Sequence, residues 1–326
     1  MIHAFDENMH PAGLGAHWQE SWYFNWADPS QGFFGAARLG FRLAQNQIDG
    51  LVFAIHQGRP FFAYPALNVK PVRPWPGYSP ADGLGVRRLM FTMIEPLKLW
   101  RLQLSGRDNF DLFWEAFTQP YAYGGGGITE IAGNHFEQSG LVRGAAHLRG
   151  KDFTFSGMGQ RDKSWGVRDW AGIAGWTWIS AQFGEDLSVN LWQAPRVVAP
   201  AGRLRGPRTG GEPSVGGFVH CDGATWPIER ADLALETGRN GEPRSALIHI
   251  SSGRRSFSFE AKGHGVFPLA KNGLWMYELF ATFTTEVNGL RRTGAGVIEH
   301  AFHVGRLGYL PRVGEIAATL RSVFLG

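Results

Sequence analysis

The stretch GMGQRDKSWGVRDW, residues 157–170, gathers five charged side chains between glycines and tryptophans. Asp, Glu, Lys and Arg make up only 18% of this chain. A guanidinium beside a carboxylate favours the charged form of both, so an Arg-Asp pair can lock a loop. Burying such charge is costly, however, and a turn alone needs nothing more than Asn and Gly. The same carboxyl in an apolar pocket is a different reagent, because desolvation keeps it protonated toward neutral pH. Asp162 is therefore the candidate proton donor, with Arg161 placed to position it or a water molecule. Asp169 is expected to pair with Arg161 or Arg168 and hold the loop. Gly157 and Gly159 are expected to allow a tight bend, with Ser164, Trp165 and Gly166 at the corner beyond it.

A second aromatic run, GAHWQESWYFNWADP, covers residues 15–29. Strand alternation puts Glu20, Trp22, Phe24, Trp26 and Asp28 on one face, an aromatic surface with polar ends. The same pattern also fits a sheet edge whose carboxylates bond to turns. Glu137, in HFEQSGLVRG at 135–144, and Glu20 stand next after Asp162 as acids. Tryptophan faces attract a nearby cation by about 0.5–2 kcal/mol. Trp22, Trp26, Trp165 and Trp176 are expected to share one apolar cavity, and Trp170 and Trp178 to line the same substrate site.

Other chemistries find little support. His300 and His303 lie three apart, as do His17 and Glu20, and in a strand such positions point to opposite faces, so no metal site is expected. Cys221 is the only cysteine, which rules out an intrachain disulfide. No nucleophile elbow or phosphate-cradling loop is present, and no cofactor is expected. The GGGG run at 124–127 reads as a flexible loop. The net charge is +4, but the basic residues are scattered, and their densest cluster, RLRGPR at 203–208, reads as a hairpin loop rather than a nucleic-acid patch. No run approaches the roughly 20 apolar residues of a membrane span. The first residues lack the features of a secretory signal, so a cytoplasmic location is expected. The oligomeric state is not legible.

The elements that must position these residues are strands. Apolar residues alternate in LKLWRLQLSG (97–106), KDFTFSG (151–157) and GWTWISAQF (175–183). Asp222-Gly223 predicts a tight hairpin turn, Gly253 a second, and residues 274–287 a long strand. Residues 108–120 fit both a helical stripe and a strand face, and read as a strand or a short helical turn. A helix is predicted over VGEIAATLRSVF (313–324). With 45 glycines and 13% aromatic residues, the chain reads as all-β, divided into domains at 1–170 and 171–326.

Taken in order, ESWYFNWADP, FEQSGLVRG, GMGQRDKSWGVRDW, GFVHCDGATWPIE and YELFATFT resemble the AttH-like superfamily. That group includes hydroxyneurosporene synthase (carotenoid 1,2-hydratase) and lipocalin-like proteins. The likeness runs from about residue 17 to 305 and is closer to the group's bacterial branch than to the carotenoid hydratases. It implies two lipocalin-like antiparallel β domains packed side by side around a pocket for a terpenoid, steroid or other hydrophobic molecule. It further implies cofactor-independent hydratase, isomerase or cyclase chemistry. A non-catalytic lipid carrier would need the same aromatic residues but no raised acid, and a catalyst that merely folds its substrate is a third reading.

Overall fold

In a computed structural model the chain is described over residues 2–11, 15, 17–123, 133–168, 170, 172–199, 207–253, 255–271, 273–304 and 307–325. Asp169, the GGGG run and most of the basic cluster at 203–208 lie outside the described residues.

The first sheet holds Trp18–Asp28 (β1), Phe33–Arg42 (β2), Gln47–His56 (β3), Arg59–Val69 (β4), Leu84–Val86 (β5), Leu89–Glu95 (β6), Leu99–Leu104 (β7), Asn109–Ala116 (β8), Tyr121–Ala122 (β9), Asn134–Leu148 (β10) and Lys151–Val167 (β11). Their order is β4-β3-β2-β1-β11-β10-β8-β7-β6-β5, with β9 beside β10. Val86 at one end of that order packs on Gly50 of β3, near the other end, so the sheet curls into an almost closed barrel.

The second sheet holds Gly175–Gln182 (β12), Leu187–Ala194 (β13), Ser214–Cys221 (β16), Ala224–Pro227 (β17), Arg230–Thr237 (β18), Pro243–Ser252 (β19), Arg255–Lys271 (β20), Leu274–Val287 (β21) and Leu290–His303 (β22). Its order is β17-β16-β13-β12-β22-β21-β20-β19-β18, a half-barrel. A two-stranded ribbon of Val197–Ala199 (β14) and Arg208–Thr209 (β15) stands apart. The only α-helix among the described residues is Val313–Phe324 (α1), over the predicted range. The two sheets form two lipocalin-like β domains.

Alternation sorts the side chains into layers. Trp22, Phe24, Trp26, Phe33, Trp100 and Trp114 fill the barrel interior. Each such large apolar side chain withdrawn from water contributes roughly 1.5–3 kcal/mol. Ile179, Leu191, Ile248, Phe259 and Phe283 cluster separately on the second sheet. A third, strongly aromatic cluster joins the two, with Phe34 against Phe280 at 4.7 Å and Phe53 stacked on Phe267 at 4.6 Å.

The ambiguous segment at 108–120 is a strand. Phe110, Leu112, Trp114 and Ala116 of β8 are buried, and β8 pairs on both sides, with β7 and β10. Asp222 and Gly223 turn the hairpin with φ of 52° and 78°, as the sequence predicts.

The expected bend at Gly157 and Gly159 is absent. Residues 151–167 form one continuous strand, and Ser164, Trp165 and Gly166 lie within it rather than at a corner. Gly159 is instead a site of close approach, since a Cβ there would overlap the carbonyl oxygen of Asn25 on β1. The glycines let two strands press together.

Candidate active site between the sheets

The two faces of β11 have different fates. Arg161, Lys163 and Trp165 point into the barrel, whereas Asp162 and Ser164 point toward the second sheet.

Inside the barrel, Arg161 is fully buried and pairs with Glu7, Nη1 to Oε2 at 3.1 Å and Nη2 to Oε1 at 2.6 Å. Gln138 accepts from its Nε at 2.9 Å, and the Trp114 and Phe136 rings lie within 5.6 and 5.1 Å of the guanidinium. Arg161 therefore does not position Asp162. Glu20 takes Lys163 and His10 as partners. Burial would raise the Glu20 carboxyl, but Lys163 and His10 hold it below its ordinary range, which makes it a poor proton donor. Trp22 and Trp26 belong to the barrel core, and Trp165 stacks on His10 at 4.3 Å. Of the four tryptophans expected to share a cavity, only Trp176 lines it. The others are drawn to the opposite face by strand alternation.

The cavity itself lies between the sheets and measures about 650 Å³. Trp170, Trp176, Trp178 and Trp192 wall it together with Tyr23 and Phe53, and Ile316, Leu320 and Val323 of α1 close one side. Across the first sheet, Arg38, Tyr23, Asp162 and Glu137 stand in one row on β2, β1, β11 and β10. Facing them on the second sheet is a row of Trp192, Trp178, Glu299, Glu278 and Phe267. The Trp178 indole nitrogen crosses between the rows and donates to Glu137 Oε1 at 2.7 Å.

The carboxyls are tuned apart. Burial pushes the Asp162 carboxyl up to about 6, although Arg168 and Arg38 pull it down. Among the described residues nothing hydrogen-bonds its buried Oδ1. Burial and the charge of Asp162 push Glu137 well above its usual range, against donors from Gln160 and Trp178. Glu137 is nonetheless enclosed by partners, Gln160 Nε2 at 2.8 Å and Asn190 Nδ2 at 2.5 Å on Oε2, with Trp178 on Oε1. Burial, and then Glu299 directly opposite it, raise Glu278 well above the usual range. Trp176 donates its indole N–H to Glu299. His135, 3.4 Å from Glu137, is driven by burial to about 3 and is neutral.

The structure thus brings together Asp162, Glu137, Trp170, Trp176 and Trp178, and sets Arg161, Glu20, Trp22, Trp26 and Trp165 apart. Arg38, Tyr23, His135, Lys271, Glu278 and Glu299 were missed by the sequence reading. The one signal for them was alternation within strands, which names a face but not the cavity it meets. Among the described residues no three His, Cys, Asp or Glu side chains converge to hold a metal ion. No helix among them is long and apolar enough to cross a membrane.

Fold and site together define a two-domain lipocalin-like protein with a half-open, aromatic, carboxyl-bearing cavity between its two sheets. The chain belongs to the family described as a domain of unknown function (DUF7064), whose model matches residues 3–304. No curated protein matches it in sequence. Among solved structures it is similar to kievitone hydratase from Nectria haematococca, with a TM-score of 0.62 and 13% identity over 92% of this chain and 93% of that one. It is also similar to CghA with Sch210972, at a TM-score of 0.61 and 12% identity over 89% of each chain. A protein described as AttH from Nitrosomonas europaea matches at a TM-score of 0.56 and 14% identity over 89% of this chain and 94% of that one. The resemblance to the AttH-like group holds for the fold.

Proposed function

We propose that the protein is a cofactor-independent lyase or isomerase of the hydratase or cyclase kind. It acts on a hydrophobic substrate, of terpenoid or steroid character, held between domains 1–170 and 171–326. The carrying observation is the Asp162 carboxyl, raised to about 6, with its Oδ1 free of hydrogen bonds to the described residues in an aromatic cavity. A general acid works best when its pKa lies near the operating pH. Glu137 has both oxygens occupied by donors, so Asp162 is the better placed of the two.

In hydration, the π electrons of the alkene take the Asp162 proton and form a C–H bond. The adjacent carbon becomes a cation, which the Trp176 face stabilises. Water adds to that carbon and returns a proton to the Asp162 carboxylate. Dehydration is the reverse, and a cyclase substitutes a second alkene for water. The similarity to a protein named kievitone hydratase agrees with this class of chemistry.

The test is incubation in deuterated water with terpenoid and steroid alkenes and their tertiary alcohols, followed by mass spectrometry. Gain of one water by an alkene, with deuterium on carbon, or loss of one water from an alcohol is expected for the parent and absent in Asp162→Asn, which should still bind the molecules. Full activity in Asp162→Asn would refute the assignment. Tight binding without any turnover in the parent would mark a carrier instead.

A further inference from the structure

The cavity holds more positive charge than its chemistry uses. Arg38 stands in the same cross-strand row as Asp162, one strand beyond Tyr23. Lys271 ends β20, and its Nζ lies 4.8 Å from the Trp170 ring. Arg168 follows β11, its guanidinium lies 4.9 Å from the same ring, and it donates to Ser164 Oγ at 2.8 Å. All three side chains line the cavity.

None of the three makes an ion pair with a described residue, although five carboxyls line the same space. Asp49 is taken by Arg42, Nε to Oδ2 at 3.0 Å. Glu137 is enclosed by its amide and indole donors, and Glu278 and Glu299 face each other. Asp162 influences both arginines but lies beyond ion-pair distance. Arg168 is buried and Arg38 and Lys271 are half-buried, and a cation drawn away from water without a counter-charge is costly to a folded chain. Elsewhere this protein pairs its buried cations closely, as Arg161 with Glu7 and Lys163 with Glu20.

We infer that Arg38, Lys271 and Arg168 form a subsite for an anionic head group, and that the substrate is an apolar acid, a hydrophobic body carrying a carboxylate or an equally acidic enol. The inference rests on the proposed function for the identity of the reacting end. Arg38 and Asp162 are two strand spacings apart, about 10 Å. The head group docked at Arg38 therefore places a carbon on the order of 10 Å away against the acid. The apolar body lies along Trp170, Trp176 and the inner side of α1. Burial, then the charges of Arg38, Arg168 and Arg42 against that of Asp49, pull the Lys271 ammonium well below its ordinary range.

The test compares retinoic acid with retinol, which share one polyene and differ at the head group. Each is titrated into the intact protein, followed by quenching of tryptophan fluorescence. The acid should bind about tenfold tighter or better, as charge-assisted hydrogen bonds allow. Arg38→Gln and Lys271→Gln should each remove most of that preference while leaving retinol affinity unchanged. Both variants should melt no lower than the parent, because each removes an uncompensated charge. Equal binding of acid and alcohol overturns the inference, as does failure of either to bind, or a loss in the variants that falls on both molecules alike. The measurement needs no turnover. A lost preference together with an inactive Asp162→Asn would refute the subsite alone, and a retained preference in a protein without turnover would refute the catalytic reading alone.

Discussion

Replacing Asp162 by Asn should change stability in a pH-dependent way, with a size set by the site. The folded carboxyl titrates at about 6 against an ordinary 3.8. That gap corresponds to about 3 kcal/mol. Because the folded state holds this proton more tightly than the unfolded one, the proton favours folding fully below about pH 4. The advantage is lost as the pH rises through about 6, where the folded protein must carry a desolvated carboxylate. Asparagine has the same shape and never ionises. The variant should thus gain on the parent by up to about 3 kcal/mol between acid and neutral pH, or roughly 6–12 °C in Tm. Melts of both proteins at pH 4.5, 5.5, 6.5 and 7.5 measure the difference, and the remaining carboxyls, common to both, largely cancel. In the parent, turnover should fall above about pH 6 as the donor loses its proton. A Tm difference that stays constant across this range would show that Asp162 is an ordinary solvated carboxylate, and the acid mechanism would lose its support.

Two further substitutions probe the surrounding charges. Glu7→Gln should cost about 3–5 kcal/mol in a urea titration, because it strands the buried Arg161 guanidinium, while turnover of the folded protein persists; a silent but fully stable variant would return Arg161 to the chemistry. Glu278→Gln should raise the Tm near neutral pH and flatten its decline with rising pH, since a carboxyl held above its usual range stabilises the folded state only while both states are protonated. An unchanged pH dependence in that variant would show that the Glu278 carboxyl is not held above its usual range.

The strands and the final helix were legible because they follow local rules. Trp114 and Phe110 alternate with polar neighbours as a half-buried strand must, Asp222-Gly223 has the backbone freedom of a tight turn, and α1 falls on the one strong helical pattern. The cavity was less legible because its residues meet only through pairing register and domain packing. Arg38 reaches Asp162 through the alignment of β2, β1 and β11, and Glu278 reaches it from more than a hundred residues away on another sheet. No local pattern carries that information. The charged stretch at 157–170 shows where the boundary lies. Period two already separates Arg161 from Asp162, so the adjacent Arg and Asp could never have served one another on a straight strand. What alternation could not say is which face was full. The barrel interior closes over Arg161 with Glu7, an N-terminal residue distant in sequence, and pairing there fixes the strand. The opposite face, left open to the second sheet, keeps Asp162 Oδ1 without a hydrogen bond from any described residue. A clamp and a pocket acid can therefore occupy neighbouring positions, and the rigidity of the first holds the second in place.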